Sequence, residues 1–187
     1  MSPVIIAIVV AVALLLFLWV AFMYNGLVRG RNHCDEAWSN VDTELKRRYN
    51  LIPNLVDTVK GYAAYERETM ESVTRARNTA LASQGSPASQ ARDENMLVDS
   101  LRRLLVVVEK YPELKASENF LKLQEELINT EDRIQRARRF YNGNVRDYNN
   151  RVEVFPSALV ARCSGFKQRE FFEIETAAER VAPAVKL

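Results

Sequence analysis

Residues 4–24 read VIIAIVVAVALLLFLWVAFMY, an apolar stretch without a single charged side chain. About 20 such residues cross a ~30 Å hydrocarbon layer as one helix. An unbroken helix also satisfies its own backbone N–H and C=O groups there. The stretch predicts a membrane anchor over residues 1–24, and everything after it becomes a water-facing body held against lipid. A cleaved leader fits less well. Its apolar core is ordinarily ~7–15 residues behind a basic start, whereas no Lys or Arg precedes this run and the Ala-x-Ala at Ala11 and Ala13 lies inside it. Pro3 suits a first helical turn, and Trp19 and Tyr24 suit an interfacial belt.

Arg29 and Arg31 follow the span closely, with Lys46, Arg47 and Arg48 further on. By the positive-inside rule the body is expected in the cytoplasm, on the inner face of the cell membrane, with the N-terminus outside. The alternative is a body translocated despite its arginines. Ala7 and Ala11 form a small-xxx-small pair through which anchors could approach one another, or are plain lipid-facing filler.

The chain has 187 residues, so roughly 160 remain for the body, enough for one ordinary domain. Charged residues make up 27%, and six Gly and six Pro are too few for a loop-rich β protein. A net charge of +2 gives no concentrated basic face, so no nucleic-acid partner is expected. The cysteines, Cys34 and Cys163, form no CxxC, and His33 is the single histidine. A structural zinc needs about four Cys/His ligands, and a di-metal bundle needs Glu-x-x-His on two helices. No metal, cofactor or small-molecule substrate is expected. In the cytoplasm both thiols stay reduced, while in an oxidising compartment a Cys34–Cys163 pairing remains open.

Past the anchor, Cys34, Trp38, Val41 and Leu45 make one helical stripe running to about Tyr49. Asn50-Leu51-Ile52-Pro53 reads as a tight reversal, since a mid-helix proline costs ~3 kcal/mol. A second helix carries Val56, Val59, Ala63, Met70, Val73 and Ala80, and Gly85-Ser86-Pro87 ends it and starts a third. Helix three uses Ala91, Val98, Leu101, Leu105 and Val108 and stops before Pro112. Helix four begins near Ser117 and carries Phe120, Leu127, Ile134, Tyr141, Val145, Tyr148 and Val152. Short connections between long amphipathic helices imply antiparallel neighbours. The expected fold class is all-α: a transmembrane helix, an antiparallel up-down four-helix bundle over 25–155, and a short C-terminal segment over 156–187.

Two seam positions of helix four are charged, Glu131 and Arg138, and Glu66 holds a matching place in helix two. One reading is a buried polar layer of Glu66, Glu131 and Arg138, joined by Arg77 or Arg48, because buried charges persist only when paired. The other is that the bundle axis drifts and these residues snorkel to water. Acid-first (i, i+4) pairs such as Glu44/Arg48 and Glu71/Arg75 read as solvated helix faces.

A helix four of ~50 Å points back toward the bilayer and brings Phe155 to Arg162 near it, with Gly26 and Gly30 as places where the chain could yield. That segment is a candidate interfacial element, Phe155 in the interface and Arg162 and Lys167 near anionic headgroups. Alternatively it caps the bundle core. The tail from Phe171 to Val181 is either a short docking helix or loose until a partner arrives.

Several motifs together carry a resemblance: Glu36-Ala37-Trp38-Ser39, Leu45-Lys46-Arg47-Arg48-Tyr49, Leu51-Ile52-Pro53-Asn54-Leu55-Val56, Glu118-Asn119-Phe120, Ala137-Arg138, Tyr141-Asn142 and Phe155-Pro156. Across nearly its whole length the chain resembles the LemA family of bacterial membrane proteins. The resemblance implies one N-terminal membrane helix with its N-terminus outside and a cytoplasmic bundle of antiparallel helices. It implies no catalytic residues, and some relatives occur in magnetosome formation. Gly30-Arg31 ahead of His33-Cys34 departs from the expected pattern without touching the fold.

The leading functional expectation is a membrane-anchored helical scaffold that binds protein partners or itself. The second is a lipid-binding or membrane-shaping body. An enzyme is disfavoured: there is no nucleophile motif and no Gly-rich phosphate loop, and His33 reads as a surface residue.

Overall fold

A computed structural model describes residues 2–174 of the chain. Helix makes up 84%, and no strand occurs among the described residues. The elements are α1 (Pro3–Tyr62), α2 (Arg67–Ala82), α3 (Pro87–Val108), α4 (Pro112–Lys115), α5 (Glu118–Glu153) and α6 (Ser157–Cys163). The all-α class is as the sequence predicts, and α1 is long and apolar enough at its N-terminal end to cross a membrane.

The largest departure from the sequence reading is in α1, which passes through Pro53 without a reversal and continues to Tyr62. Proline lacks the N–H that would bond the carbonyl four residues back, here that of Tyr49. Arg77 of α2 supplies the missing donor: its Nε donates to the Tyr49 carbonyl oxygen at 3.1 Å. The pyrrolidine ring faces water, since Pro53 is exposed. The reversal expected at Asn50–Asn54 therefore occurs about ten residues later, at Ala63-Ala64-Tyr65-Glu66. Elsewhere the punctuation is as read. Ser86, in extended conformation, precedes α3 with Pro87 at its first position. A single turn, α4, with Leu114 buried beneath it, fills the expected gap before α5.

The described residues fall into two compact units, and α1 and α5 contribute to both. One comprises residues 39–139 and 170–174. Its core is built from Val41, Leu45, Ile52, Leu55 and Val59 of α1, Met70 and Val73 of α2, Leu97, Leu101 and Leu104 of α3, and Phe120 and Ile134 of α5. Each such side chain contributes ~1.5–3 kcal/mol on full burial. In α3 the buried stripe is Ala91, Glu94, Leu97, Leu101, Leu104 and Val108, so it is centred one position away from the expected Val98 and Leu105. Phe172 and Ile174 are buried in this unit without helical structure. The docking helix expected from Phe171 therefore does not include Phe171 to Ile174, and its remainder lies outside the described residues.

The other unit comprises residues 2–38 and 140–169. Leu27, Val160 and Ala161 bury one another, with Met23, Val152 and Phe166 packed around them. Gly30 matters here. A Cβ at this position would stand 3.1 Å from the Tyr148 ring, so glycine lets α5 come close. The chain leaves α6 through Gly165 at φ 73°. Its N–H bonds Arg162 O at 3.4 Å, and the Phe166 N–H bonds Ala161 O at 3.0 Å. This double closure with an apolar residue after the glycine is the Schellman arrangement, and it drives Phe166 into the Leu27 cluster. Asn149 then clips the departing segment, its amide donating to Arg169 O at 2.9 Å and its Oδ1 accepting from Arg169 N at 2.8 Å.

Candidate functional site

The interface candidates lie in the second of these units. Residues 4–18 of α1 are exposed throughout, as is Trp19, which is 43% exposed. Tyr24 meets the Phe166 ring edge-on, with centroids 5.6 Å apart. Arg31 lies over the same ring at 5.6 Å, a cation–π arrangement. Tyr24, Leu27 and Arg31 recur at helical spacing, so one face of α1 holds Phe166 by its edge and face. The Phe155–Pro156 turn thus connects α5 to a helix seated against Met23 and Leu27, the turn of α1 that follows the apolar run.

That turn presents Val154, Phe155 and Leu159 to solvent; Phe155 is 75% exposed. Val154 and Leu159 are 59% and 56% exposed. Arg162, in the last turn of α6, and Lys167 are exposed beyond them. Arg29 and Arg151 are each tied to the backbone of α1. Arg29 Nε donates to Asn25 O at 3.3 Å, and Arg151 Nη1 donates to Gly26 O at 3.1 Å. Asp35 pairs with Arg169 at 2.7 Å. His33 approaches exposed Glu36 at 3.8 Å, as a surface histidine does.

The polar layer lies in the other unit and is organised on Arg48, which is 0% exposed. Its Nη2 donates to Glu94, 1% exposed, and its Nη1 to Glu131 at 2.9 Å. Tyr49 donates its hydroxyl to the other oxygen of Glu94. Burial alone would lower the arginine's pKa, but Glu94 and Glu131 outweigh it and hold the guanidinium charged. Burial, with the adjacent Glu94 carboxylate, pushes the Tyr49 phenol far above its ordinary value. Arg48 Nε remains without a partner, so the cluster is incompletely satisfied.

Of the four residues read as a polar layer, Glu131 bonds Arg48 directly, and Arg77 reaches the neighbouring Tyr49 carbonyl. Arg138 donates to Ile174 O, holding the returning segment. Glu66 takes another place altogether: because α1 runs through Pro53, Glu66 falls in the turn and becomes the half-buried N-cap of α2. Glu94 was missed. It sits three residues after Ala91 on the buried stripe, the same kind of interruption that flagged Glu131 in α5.

Cys34 is fully buried and Cys163 exposed, and both thiols are free. Burial pushes the Cys34 thiol up. No group of three side chains able to hold a metal occurs among the described residues. A groove of about 730 Å³ beside α2 mixes Asp57 and Glu71 with Lys60, Arg67 and Arg75 around Met70.

The names of the relatives carry no reaction. The chain is 26% identical over 181 residues to the magnetosome protein MamQ 1 of Paramagnetospirillum magneticum, a match covering 83% of this chain and 66% of the relative. It is 25% identical to the magnetosome protein MamQ of Magnetospirillum gryphiswaldense, with the same coverage. It is 30% identical over 139 residues to protein LemA of Metamycoplasma hominis, covering 74% of this chain and 63% of the relative. The chain thus spans less than two thirds of the length of these relatives. The LemA family model matches residues 37–187, the stretch that carries both the Arg48 cluster and the Phe155–Pro156 turn, and the chain belongs to the LemA family.

Proposed function

We propose that this chain is a single-pass, membrane-anchored helical scaffold that acts by binding protein partners or further copies of itself. Its N-terminus lies outside and its body in the cytoplasm, against the inner face of the cell membrane. The body is an antiparallel up-down four-helix bundle formed by the later part of α1 with α2, α3 and α5. The short connections at 63–66 and 83–86 favour that arrangement. One observation carries the reading above the rest: residues 4–20 of the apolar run are exposed along the whole length of that part of α1, so water is not their solvent.

The exposed Val154, Phe155 and Leu159 favour a second reading, a body that itself engages lipid or shapes the membrane. Protease added to spheroplasts tests the topology, and a C-terminal epitope should stay intact until the membrane is breached. Crosslinking in intact cells, followed by pull-down and mass spectrometry, separates the two readings. A ladder of self or protein adducts supports the scaffold, and adducts to lipid alone support the second.

A further inference from the structure

A cavity of about 440 Å³ opens where the apolar run of α1 gives way to its charged part. Phe22, Gly26, Arg29 and His33 descend one face of α1 into it, Met23 and Leu27 wall it, and Arg151 closes it from α5. The gradient along this wall runs from a large exposed aromatic through bare backbone to two guanidinium groups. Each arginine spends one N–H on an α1 carbonyl and keeps the others. Neither pairs with a carboxylate among the described residues. Glu36 stands 3.8 Å from exposed His33 of the cavity wall. Two arginines steadied by backbone and left without a counter-charge make a receptor for phosphate oxygens.

We propose that this cavity binds the phosphate of an anionic phospholipid, Arg29 and Arg151 engaging its oxygens while Phe22 and Met23 lie along its acyl chains. Phosphate chemistry alone would admit free phosphate as well. The apolar wall selects the lipid, because inorganic phosphate leaves Phe22, 71% exposed, uncovered. Gly26 is part of the fit: nothing lies within 4 Å of the point where its Cβ would stand, so the missing side chain leaves room for the headgroup. The site rests on the anchor reading, since a chain that does not enter a bilayer would not bring the cavity to headgroup depth.

The test uses the full-length protein in dodecyl maltoside and native mass spectrometry with dioleoyl phosphatidylglycerol, dioleoyl phosphatidylcholine or inorganic phosphate added. One phosphatidylglycerol should be retained in preference to phosphatidylcholine. Arg29→Gln with Arg151→Gln should weaken that retention at least tenfold. Gly26→Leu, which fills the cavity without removing charge, should do the same while far-UV helicity stays unchanged. Arg103→Gln with Arg133→Gln, an equal loss of exposed charge in the other unit, should leave it within twofold. Equal retention of both lipids, or equal loss in the two charge-deleted proteins, overturns the site in favour of diffuse attraction. Displacement of the lipid by equimolar inorganic phosphate overturns the lipid assignment. Carbonate extraction of membranes keeps the two proposals apart: variants that lose lipid selectivity but stay in the pellet implicate the cavity alone, whereas release of the wild-type chain removes the anchor.

Discussion

Replacing Arg48 with methionine probes the cluster where its energetics are most exposed to measurement. Arg48 is 0% exposed and Glu94 1%, so the substitution strands a carboxylate where water cannot reach it. Breaking a buried pair in this way costs ~3–5 kcal/mol, a large part of the 5–15 kcal/mol, roughly, that holds an ordinary domain folded. Glu131→Gln is a contrasting case, because Glu131 is 31% exposed and water can take over its role. Its expected cost is about 1 kcal/mol or less. Glu94→Gln keeps the volume but forfeits the charge-assisted bond, for ~1.5–3 kcal/mol. The combined Arg48→Met, Tyr49→Phe and Glu94→Leu variant should recover most of the loss, since an apolar replacement of a whole buried pair is often neutral or stabilising. Urea unfolding of the full-length protein in dodecyl maltoside, followed by far-UV circular dichroism, gives the ordering. If Arg48→Met and Glu94→Gln each cost under about 1 kcal/mol, the cluster is not the buried electrostatic unit described here.

Arg77→Met should cost ~1–3 kcal/mol by orphaning the Tyr49 carbonyl, and the cost should shrink in a Pro53→Ala background, where a backbone N–H returns; urea midpoints over the four proteins give the coupling. Gly26→Ala should stabilise by up to about 1 kcal/mol through helix propensity, whereas Gly30→Val should lose ~1–3 kcal/mol against the Tyr148 ring, read by thermal melts of each. The Tyr49 phenol is raised in the fold, so its contribution is complete below the unfolded value of about 10 and drains away as pH climbs beyond it. Stability should therefore fall by up to ~1.4 kcal/mol per pH unit from this group, and Tyr49→Phe should flatten that alkaline limb of a urea-midpoint series. Maleimide should label Cys163 rapidly in the native protein and Cys34 only on unfolding, counted by intact mass.

The elements legible in the sequence were those set by local chemistry. The charge-free run in residues 4–24, the Gly85-Ser86-Pro87 junction and the period of α5 are each decided by groups adjacent in the chain. Pro53 was misread because the rule that stops a helix at proline counts the lost N–H and assumes nothing replaces it. The replacement, Arg77, arrives from 24 positions away in sequence, beyond the reach of any local pattern. The misreading then carried Glu66 onto a helix seam it does not occupy. For the polar cluster the logic was sound but half applied. A charge on a buried stripe demands a partner, and the interruption at Glu131 was noticed while the one at Glu94 was passed over. Arg48 was read both ways, as a possible member of the buried layer and, from its (i, i+4) spacing to Glu44, as part of a solvated helix face. The cavity at Gly26 could not be seen at all, because it depends on α5 delivering Arg151 to a carbonyl of α1.

The bond between Arg77 and the Tyr49 carbonyl also constrains how this sequence can drift. Losing Pro53 first is permissible, since the arginine merely becomes redundant and later free to change. Losing Arg77 first strands a part-buried carbonyl at a cost of ~1–3 kcal/mol, so that order is disfavoured. Change at the two positions should therefore run in one direction, proline departing before arginine, like a ratchet whose pawl is a single missing hydrogen.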